Sequence, residues 1–296
     1  MRRLENVKFS VVDADAIVYH RKSEWEARMT IDSGKIESIV PFGVILHAST
    51  SNQRGTSLFT VSGESILELV KRHQLVVARG FEPLPSSDFI RYAESLGTIL
   101  EWNFGKILDV EVHDDPKNYL FTHGDVPLHW DGAFAEHTPH LQFFQCREAP
   151  RKSGGGETVF VDTQLVLTKN PDKLKKWQET TISYSTEKIA HYGGTVVQKL
   201  INVHPKTGAL TIRFAEPMGE HTTKENPLEV KVHDASVDEQ EQLISELQKA
   251  LYDPTCSYLH SWNDGDYIFA DNHALLHGRR PFIESSPRHL QRIHIL

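Results

Sequence analysis

Short runs of β-branched and aromatic residues recur along the chain, and residues that favour turns separate them. Runs of four to eight such residues bounded by Gly, Pro, Asn or Asp are typical of β-strands. We therefore expect a mainly antiparallel system of sheets. The predicted strands cover residues 42–46, 75–78, 141–146, 158–161, 209–214, 267–270 and 292–296.

Helical spacing of apolar residues is confined to fewer segments. Ser86 is a favourable N-cap, apolar residues follow it at helical spacing, and Gly97 would end the helix. Ser236 and Glu239 have the spacing of a capping box ahead of a second apolar stripe. Two shorter helical segments are expected at residues 65–72 and 172–177.

The balance of many short strands and few helices is typical of a mainly β protein with flanking helices. Residues 1–296 contain no internal repeat, low-complexity tract or long linker. We therefore expect a single domain over residues 1–296, built as a double-sheet β-roll with the helices packed outside. Residues 1–60 contribute little beyond the strand at 42–46.

The charge of the chain argues against a nucleic-acid partner. Its 296 residues carry 32 basic and 40 acidic side chains, which is a net charge of −8. Binding a phosphate backbone requires clustered Lys and Arg, and the densest basic stretch here is residues 173–176. The composition is otherwise that of an ordinary globular protein.

Nothing in the sequence predicts export or membrane insertion. The first residues lack the apolar segment of a signal peptide, and no stretch approaches the roughly 18 apolar residues that a membrane helix requires. The two cysteines, Cys146 and Cys256, form no metal-binding or disulfide motif, so both are expected in the core. We therefore expect a cytoplasmic protein with no membrane partner.

Histidine is abundant, with 17 residues, and three His-x-Asp pairs are present. Two ligands on alternate residues of an extended segment can turn toward one ion, although roughly two such matches to an acidic residue are expected by chance. His113 lies in an acidic, proline-terminated stretch that is typical of a surface turn. His129 and Asp131 lie in an aromatic, apolar setting where buried polar groups need a reason to be present, and His123 with Asp125 is a weaker competitor.

A third ligand is expected from a distant strand. His273 and His277 follow the predicted strand at 267–270, and His277 is the better candidate. Two histidines and one carboxylate leave three positions open on octahedral Fe(II), where a co-substrate and dioxygen can bind together. The alternative is that both histidines only cap or line a turn.

Two further features fit a dicarboxylate co-substrate. Residues 154–158 form a glycine-rich turn that runs into a strand, with the Thr158 hydroxyl at its entrance. Arg288 and Arg292 follow just beyond His277, and an arginine can hold a carboxylate by two parallel hydrogen bonds. A plain hairpin turn and two solvated arginines are the alternatives.

Taken together, these elements resemble the TauD/TfdA superfamily of Fe(II)/2-oxoglutarate dioxygenases, from about residue 75 to the end of the chain. The resemblance implies a double-stranded β-helix (jelly-roll) core, Fe(II) as the metal, and 2-oxoglutarate and O2 as co-substrates. The residues it implies are His129, Asp131 and His277 for iron, Thr158 and Arg288 for the far carboxylate of 2-oxoglutarate, and Arg292 for the iron-side carboxylate or the substrate anion.

A closer resemblance, to the PvcB-type oxygenases that act on amino-acid isonitriles, extends through most of the chain. It implies an enzyme of isonitrile natural-product biosynthesis whose substrate, with tyrosine isonitrile as the first expectation, comes from a partner isonitrile synthase. The implied product has a new Cα–Cβ double bond, with the carboxylate either kept or lost as carbon dioxide. The segments that carry this resemblance are residues 101–105, 126–132, 275–279 and 287–290.

Other functions stay open at this point. Hydroxylation of another small carboxylate or sulfonate would use the same residues. A non-catalytic β-roll that binds metal or carboxylate would need the arginines but could dispense with oxygen turnover, and the presence of all three predicted ligands counts against it. A zinc hydrolase using His129, His137 and His140 lacks a recognised helical frame, although Glu136 lies beside His137. Halogenation is disfavoured, because Asp131 supplies the carboxylate that related halogenases lack.

Aromatic residues near the predicted ligands are candidates for the substrate pocket by residue type alone. An aromatic side chain in a β-roll lies more often in the core than in a pocket, and none of these residues is predicted to be catalytic. The candidates are Phe104, Trp130, Phe134, His191 and Tyr192.

Overall fold

The computed structural model describes residues 35–49, 55–116, 118–189, 192–218 and 226–296. In this part of the chain two large β-sheets form the centre of the molecule, and helices pack on their outer faces. The predicted class, mainly β with flanking helices, is confirmed. The single domain over residues 1–296 stays a prediction.

The larger sheet contains seven strands, numbered here in chain order: β1 (Ile36–Ser38), β2 (Val44–His47), β3 (Leu75–Arg79), β4 (Leu108–Val110), β6 (Leu141–Glu148), β14 (Tyr267–Asp271) and β16 (His289–Ile295). Their order across the sheet is β1-β2-β3-β14-β6-β16-β4. All neighbours are antiparallel except β2 and β3, which are parallel.

The smaller sheet contains β5 (Val126–His129), β7 (Thr158–Asp162), β13 (Ser257–His260) and β15 (Leu275–Arg279). Its order is β13-β7-β15-β5, with antiparallel pairing throughout. β5 is an edge strand, which explains how it accommodates Pro127, since proline has no N–H for a second neighbour. A bulge interrupts the pairing of β15 with β5 between His277 and Arg279.

The inner faces of the two sheets meet in one hydrophobic cluster. Successive side chains of a strand point to opposite faces, and β14 uses both of them. Tyr267 and Phe269 pack in the cluster that includes the outer helices, whereas Ile268 and Ala270 pack in the cluster between the sheets. A strand that is buried on both faces is apolar at every position, as the run at 267–270 is.

Two helices, α1 (Gly63–His73) and α2 (Ser86–Glu94), cover the outer face of the larger sheet. Ser62 caps α1, because its side chain accepts a hydrogen bond from the Ser65 backbone N–H at 3.1 Å. The prediction that Ser86 caps α2 is wrong: Pro85 is the N-cap and Ser86 is already helical. The extended backbone of Pro85 lets helical geometry begin one residue later, with no side-chain cap.

The remaining elements cover the smaller sheet. Ser236 and Glu239 form the predicted capping box, in which the Ser236 N–H donates to Glu239 Oε2 at 2.8 Å. The elements that cover the smaller sheet are α3 (Thr163–Lys169), α4 (Leu174–Glu179), α5 (Val237–Leu251), the sheet of β8 (Thr181–Ile189), β9 (Tyr192–Lys199) and β12 (Glu229–Val232), and the hairpin of β10 (Ile201–Val203) and β11 (Leu210–Ile212).

Among the described helices, none has both the length and the apolar character that a membrane span requires.

Every predicted strand has a counterpart within a few residues, and the predicted helix at 172–177 lies two residues further on, as α4. The strands that the patterns missed include β5 and β15, which carry polar residues on their inner face. Those two strands position the candidate site.

Candidate active site

His129 and His277 lie opposite each other on neighbouring strands. His129 is the last residue of β5, and antiparallel pairing with β15 places it in direct register with His277. Directly paired residues of antiparallel strands point to the same face of the sheet, and the two ring centroids are 4.3 Å apart. Asp131 follows β5 by two residues, and its carboxylate oxygens lie 3.6 Å from Nε2 of His129 and 3.7 Å from Nε2 of His277.

Hydrogen bonding at His129 and burial at His277 favour the metal-binding forms of these imidazoles. The Nδ1 of His129 lies 2.9 Å from the Pro127 carbonyl oxygen, so Nδ1–H donates to it and the lone pair of Nε2 is left for an ion. Burial and the neighbouring His129 hold the pKa of His277 well below its ordinary value, which keeps this imidazole neutral. Neutral imidazole is the metal-binding form of histidine.

The backbone of Asp131 is held by the turn that leads to His277. The Asp131 N–H donates to Asn272 Oδ1 at 2.9 Å, and Asn272 Nδ2 donates to the Asp131 carbonyl at 3.0 Å and to the Pro139 carbonyl at 2.8 Å. Asn272 lies between β14 and β15 and is fully buried. One buried amide therefore sets the position of Asp131 relative to β15, which carries His277.

The Asp131 carboxylate accepts hydrogen bonds from three side chains. Its Oδ2 accepts from Gln142 Nε2 at 2.5 Å, Arg292 Nη1 at 2.8 Å and His294 Nε2 at 2.8 Å. Its Oδ1 accepts from Arg292 Nη1 at 3.0 Å. Burial opposes ionisation, but the charge of the Arg292 guanidinium outweighs it and holds the pKa of Asp131 well below its ordinary value. Asp131 is therefore a carboxylate.

The donor set fits Fe(II). His129, Asp131 and His277 offer ligand atoms that all lie within 4.8 Å of one another, and no other such group occurs among the described residues. Two imidazoles and one carboxylate on one side of an ion leave positions open for small molecules, which is the arrangement of non-haem iron oxygenases.

A small cavity runs from the two histidines to Thr158 and Arg288. The Thr158 hydroxyl accepts a hydrogen bond from Trp262 Nε1 at 2.9 Å, and Arg288 Nε donates to the Gly156 carbonyl at 3.1 Å. No other hydrogen bond of the Arg288 guanidinium is found in the described part of the chain. Burial lowers the pKa of Arg288 to about 9, and a buried cation without a carboxylate partner is stabilised by an anion that enters beside it.

The glycine-rich turn brings these groups together. Gly155 and Gly156 have φ values of +78° and +82°, a region that L side chains rarely adopt. A Cβ at Gly155 would also lie 2.2 Å from the Pro281 carbonyl oxygen. Glycine is therefore required for this turn to pack against residue 281, which places Thr158 and the Gly156 carbonyl beside Arg288.

A second cavity, of about 280 Å³, opens beside Asp131 and is lined mainly by apolar side chains. It is the larger of these two cavities and is called the larger cavity below. Trp102 and Phe104 stack in its wall with ring centroids 6.0 Å apart, and Tyr192 meets Trp102 edge-on at 6.3 Å. Arg292 also lines this cavity. An aromatic wall close to one guanidinium and the metal triad suits a small aromatic anion.

The predicted pocket residues lie in different parts of the structure. Phe104 and Tyr192 line the larger cavity, and Phe134 packs edge-on against Tyr192 at 5.2 Å. Trp130 is 3% exposed and belongs to the hydrophobic core, although it borders a smaller cavity. His191 lies outside the described residues.

The other candidate histidines lie outside the triad. His113 and His123 each pack against a phenylalanine ring, and His273 contacts a guanidinium. His137 and His140 join no metal-binding group in the described residues, so the geometry does not support the zinc-hydrolase alternative. Cys146 and Cys256 are buried free cysteines, as expected.

Three residues of the site were not predicted from the sequence. Trp102 lies in the segment 101–105, but its place in the cavity wall had no signal. His294 is two residues beyond Arg292 on β16, so strand alternation places it on the same face. Tyr119 belongs to a single 3-10 turn, Tyr119–Phe121, and lines the larger cavity. Burial raises the pKa of Tyr119 to about 12, so this phenol is protonated at neutral pH.

Residues 46–294 match the model of the taurine catabolism dioxygenase TauD, TfdA family. This chain belongs to that family. The family match and the triad together make it an Fe(II)/2-oxoglutarate-dependent oxygenase with O2 as co-substrate, an oxidoreductase with the double-stranded β-helix fold. The assignment of individual side chains to iron and 2-oxoglutarate stays a prediction.

Three similar proteins come from isonitrile chemistry. The chain is 46% identical over 262 residues to a 3-((Z)-2-isocyanoethenyl)-1H-indole synthase of Fischerella ambigua. The aligned region covers 88% of this chain and 95% of that protein. It is 36% identical over 257 residues to a tyrosine isonitrile desaturase of Erwinia amylovora, covering 86% and 87%. The solved structure of PvcB, an Fe, alpha-ketoglutarate dependent oxygenase from an isonitrile synthetic pathway, matches with a TM-score of 0.70 at 29% identity over 86% of each chain.

Proposed function

We propose that this oxygenase desaturates an isonitrile derived from an aromatic amino acid, at its Cα–Cβ bond. The observation that carries the proposal is the larger cavity, in which an aromatic wall lies close to both Arg292 and the metal triad. The similarity to enzymes that form or desaturate aryl isonitriles supports the same substrate class.

We assign the metal to His129, Asp131 and His277, and the far carboxylate of 2-oxoglutarate to Thr158 and Arg288. Bound Fe(II) would supply the oxidising chemistry, in which 2-oxoglutarate and O2 become succinate and carbon dioxide. The chain's own residues hold the co-substrate in the small cavity and leave the larger cavity for the substrate. The two cavities share His129 and Arg292 in their linings, so both molecules would meet at the triad.

Arg292 is suited to hold the substrate carboxylate. It lines the larger cavity, its Nη1 donates to Asp131, and its buried Nε has no hydrogen-bond partner among the described residues. The aryl group would then pack against Trp102 and Phe104. This placement brings the Cβ–H bond, which is weakened by the adjacent ring, toward the triad, and position decides which bond reacts.

The reaction balances in two ways. Loss of one hydrogen each from Cβ and Cα gives the unsaturated carboxylate, while loss of one hydrogen from Cβ together with carbon dioxide from Cα gives the vinyl isonitrile. In both cases one oxygen atom of O2 enters succinate and the other leaves as water. The substrate supplies the two electrons that reduce this second atom.

Two aryl groups are candidates within this class. A tyrosine-derived isonitrile is the substrate named for the relative from Erwinia amylovora. The relative from Fischerella ambigua, at higher identity, is named for an indole product that carries no carboxylate. An indole substrate and decarboxylation are therefore the second candidate. Either substrate requires a preceding reaction that installs the isonitrile on the amino acid, so we also propose an isonitrile synthase as the pathway partner.

The test is anaerobic reconstitution with Fe(II) and 2-oxoglutarate, followed by exposure to O2 with the isonitrile of tyrosine or of tryptophan. Mass analysis of succinate and product distinguishes the outcomes. Loss of two hydrogens identifies a desaturase, and a further loss of carbon dioxide identifies the decarboxylating reaction. Gain of oxygen would mean hydroxylation, and no succinate with either isonitrile would contradict the substrate class.

A further inference from the structure

His294 contacts both the candidate metal ligand Asp131 and the wall of the larger cavity. Its Nε2 lies 2.8 Å from Asp131 Oδ2, and its Nδ1 lies 3.2 Å from the indole nitrogen of Trp102. The side chain is buried, with 4% exposure. Because it stands outside the group of ligand atoms, its contact with Asp131 needs another explanation.

The indole of Trp102 fixes the direction of both hydrogen bonds. An indole N–H donates and cannot accept, so Nδ1 of His294 is the acceptor. An imidazole whose Nδ1 accepts a hydrogen bond has no proton on that atom, so its proton is on Nε2. Nε2–H therefore donates to Asp131, and the three side chains form one directed chain of hydrogen bonds.

The two oxygens of Asp131 differ in the number of bonds they accept. Oδ2 accepts from His294 as well as from Gln142 and Arg292, whereas Oδ1 accepts from Arg292 alone among the described residues. Oδ1 also faces Nε2 of His129 at 3.6 Å. Oδ1 is therefore the oxygen with more lone-pair density available to bind a cation between the two histidines.

We propose that His294 is a positioning residue, which holds Oδ2 of Asp131 through Nε2–H so that Oδ1 binds the metal, and that Trp102 selects the tautomer required for this bond. This inference rests on the proposed metal site. Since Trp102 also stacks on Phe104 in the cavity wall, the hydrogen-bonded chain connects the substrate cavity to the metal ligand.

Two amide substitutions separate the two ends of His294. In His294→Gln the amide reaches the position of Nε2 and can still donate to Asp131. In His294→Asn the shorter amide lies near the position of Nδ1, where it can accept from Trp102 but cannot reach Asp131. We expect the dissociation constant for Mn(II) to rise about tenfold in His294→Asn and to stay within about threefold of wild type in His294→Gln. Free Mn(II) is measured by electron paramagnetic resonance in a titration without O2 turnover.

His289→Asn is the matched control. His289 lies on the same strand, contacts the carboxylate of Asp109 at 2.8 Å, and makes no hydrogen bond to the triad among the described residues. We expect wild-type Mn(II) affinity in this variant. Trp102→Phe, which removes the N–H and keeps a ring, should weaken Mn(II) about threefold in the wild-type background. It should have no further effect in the His294→Asn background, because the bond to Asp131 is already absent there.

Wild-type Mn(II) affinity in a folded His294→Asn variant would overturn the proposal, and so would equal losses in His294→Asn and His294→Gln, which would indicate packing alone. If His294→Asn does not fold, Trp102→Phe decides, since unchanged affinity there also contradicts the chain. A different result would contradict the proposed metal site itself: wild-type affinity for Mn(II) in the variant Asp131→Ala.

Discussion

At the scale of single residues, the site contains two buried arginines with different partners. Arg292 donates two hydrogen bonds to Asp131, at 3.0 and 2.8 Å, whereas Arg288 donates to a backbone carbonyl. A buried guanidinium without a carboxylate has lost hydration that no protein anion replaces. Arg288 is therefore the better anchor for the carboxylate of a co-substrate. Arg292, whose Nε has no hydrogen-bond partner among the described residues, is the residue that we propose for the substrate anion.

The variant Arg288→Ala is expected to weaken 2-oxoglutarate binding at least about tenfold, because truncating one partner of a buried charge pair is costly. The measurement is calorimetric titration of Mn(II)-loaded protein with 2-oxoglutarate. Arg151→Ala, at an exposed arginine outside both cavities, is the control and should bind normally. Undiminished binding by Arg288→Ala would refute the assignment.

At the scale of elements, β15 organises more than the metal site. Two residues after His277, Arg279 donates to the carbonyls of Leu120 at 2.8 Å, Thr122 at 2.8 Å and Gly124 at 2.6 Å. This loop also supplies Tyr119 and Leu120 to the larger cavity. One strand therefore carries a candidate ligand and fixes the loop that shapes the larger cavity.

We expect Arg279→Gln to free this loop, because a single amide cannot satisfy three carbonyls. Backbone hydrogen exchange at residues 119–124 should accelerate, and the KM for the isonitrile should rise while Mn(II) affinity changes little. Arg280→Gln, at the exposed neighbour, should leave both exchange and KM as in wild type. Unaltered exchange in Arg279→Gln would show that the loop is held by other contacts.

The capping box of α5 is a second prediction at this scale. Ser236→Ala removes the side chain that accepts from the Glu239 N–H, and we expect about 1 kcal/mol lower free energy of unfolding. Urea denaturation measures it. Ser245→Ala, in the exposed middle of the same helix, should be neutral or slightly stabilising. Equal effects of the two substitutions would contradict a capping role.

At the scale of the whole molecule, two partly buried histidines couple stability to pH. Burial lowers the pKa of His140 to about 4 and that of His273 to about 3. The unfolded chain, in which a histidine has its ordinary pKa near 6.5, therefore binds more protons than the folded protein between these values. The contribution of these two histidines to the free energy of unfolding is therefore fully present above pH 6.5 and is lost as the pH falls toward 4.

His140→Gln should reduce the slope of the free energy of unfolding against pH between 6.5 and 4. The change should be less than about 1.4 kcal/mol per pH unit, the limit for one group, since His140 is partly exposed to solvent. His137→Gln, at an exposed histidine three residues away, should leave the slope unchanged. Chemical denaturation at several pH values provides the comparison, and parallel slopes for both variants and wild type would refute the coupling.

The sequence by itself determined the class of fold and the residue types of the candidate site. His129, Asp131, His277, Thr158 and Arg288 were named from local spacing and from a family resemblance, and the structure places all of them along two adjoining cavities. The apolar runs predicted the strands buried on both faces, because burial leaves a continuous pattern that can be read locally.

Tertiary structure decided which polar groups meet. His129 and His277 become neighbours only through the register of β5 and β15, and Asp131 is joined to His294 across 163 positions of sequence. The same local motif, His-x-Asp, occurs at His113 and His123, where the described part of the chain supplies no third ligand. Strand pairing over such separations depends on the packing of the whole sheet and not on any local pattern, so the positioning of Asp131 could be read only from the folded chain.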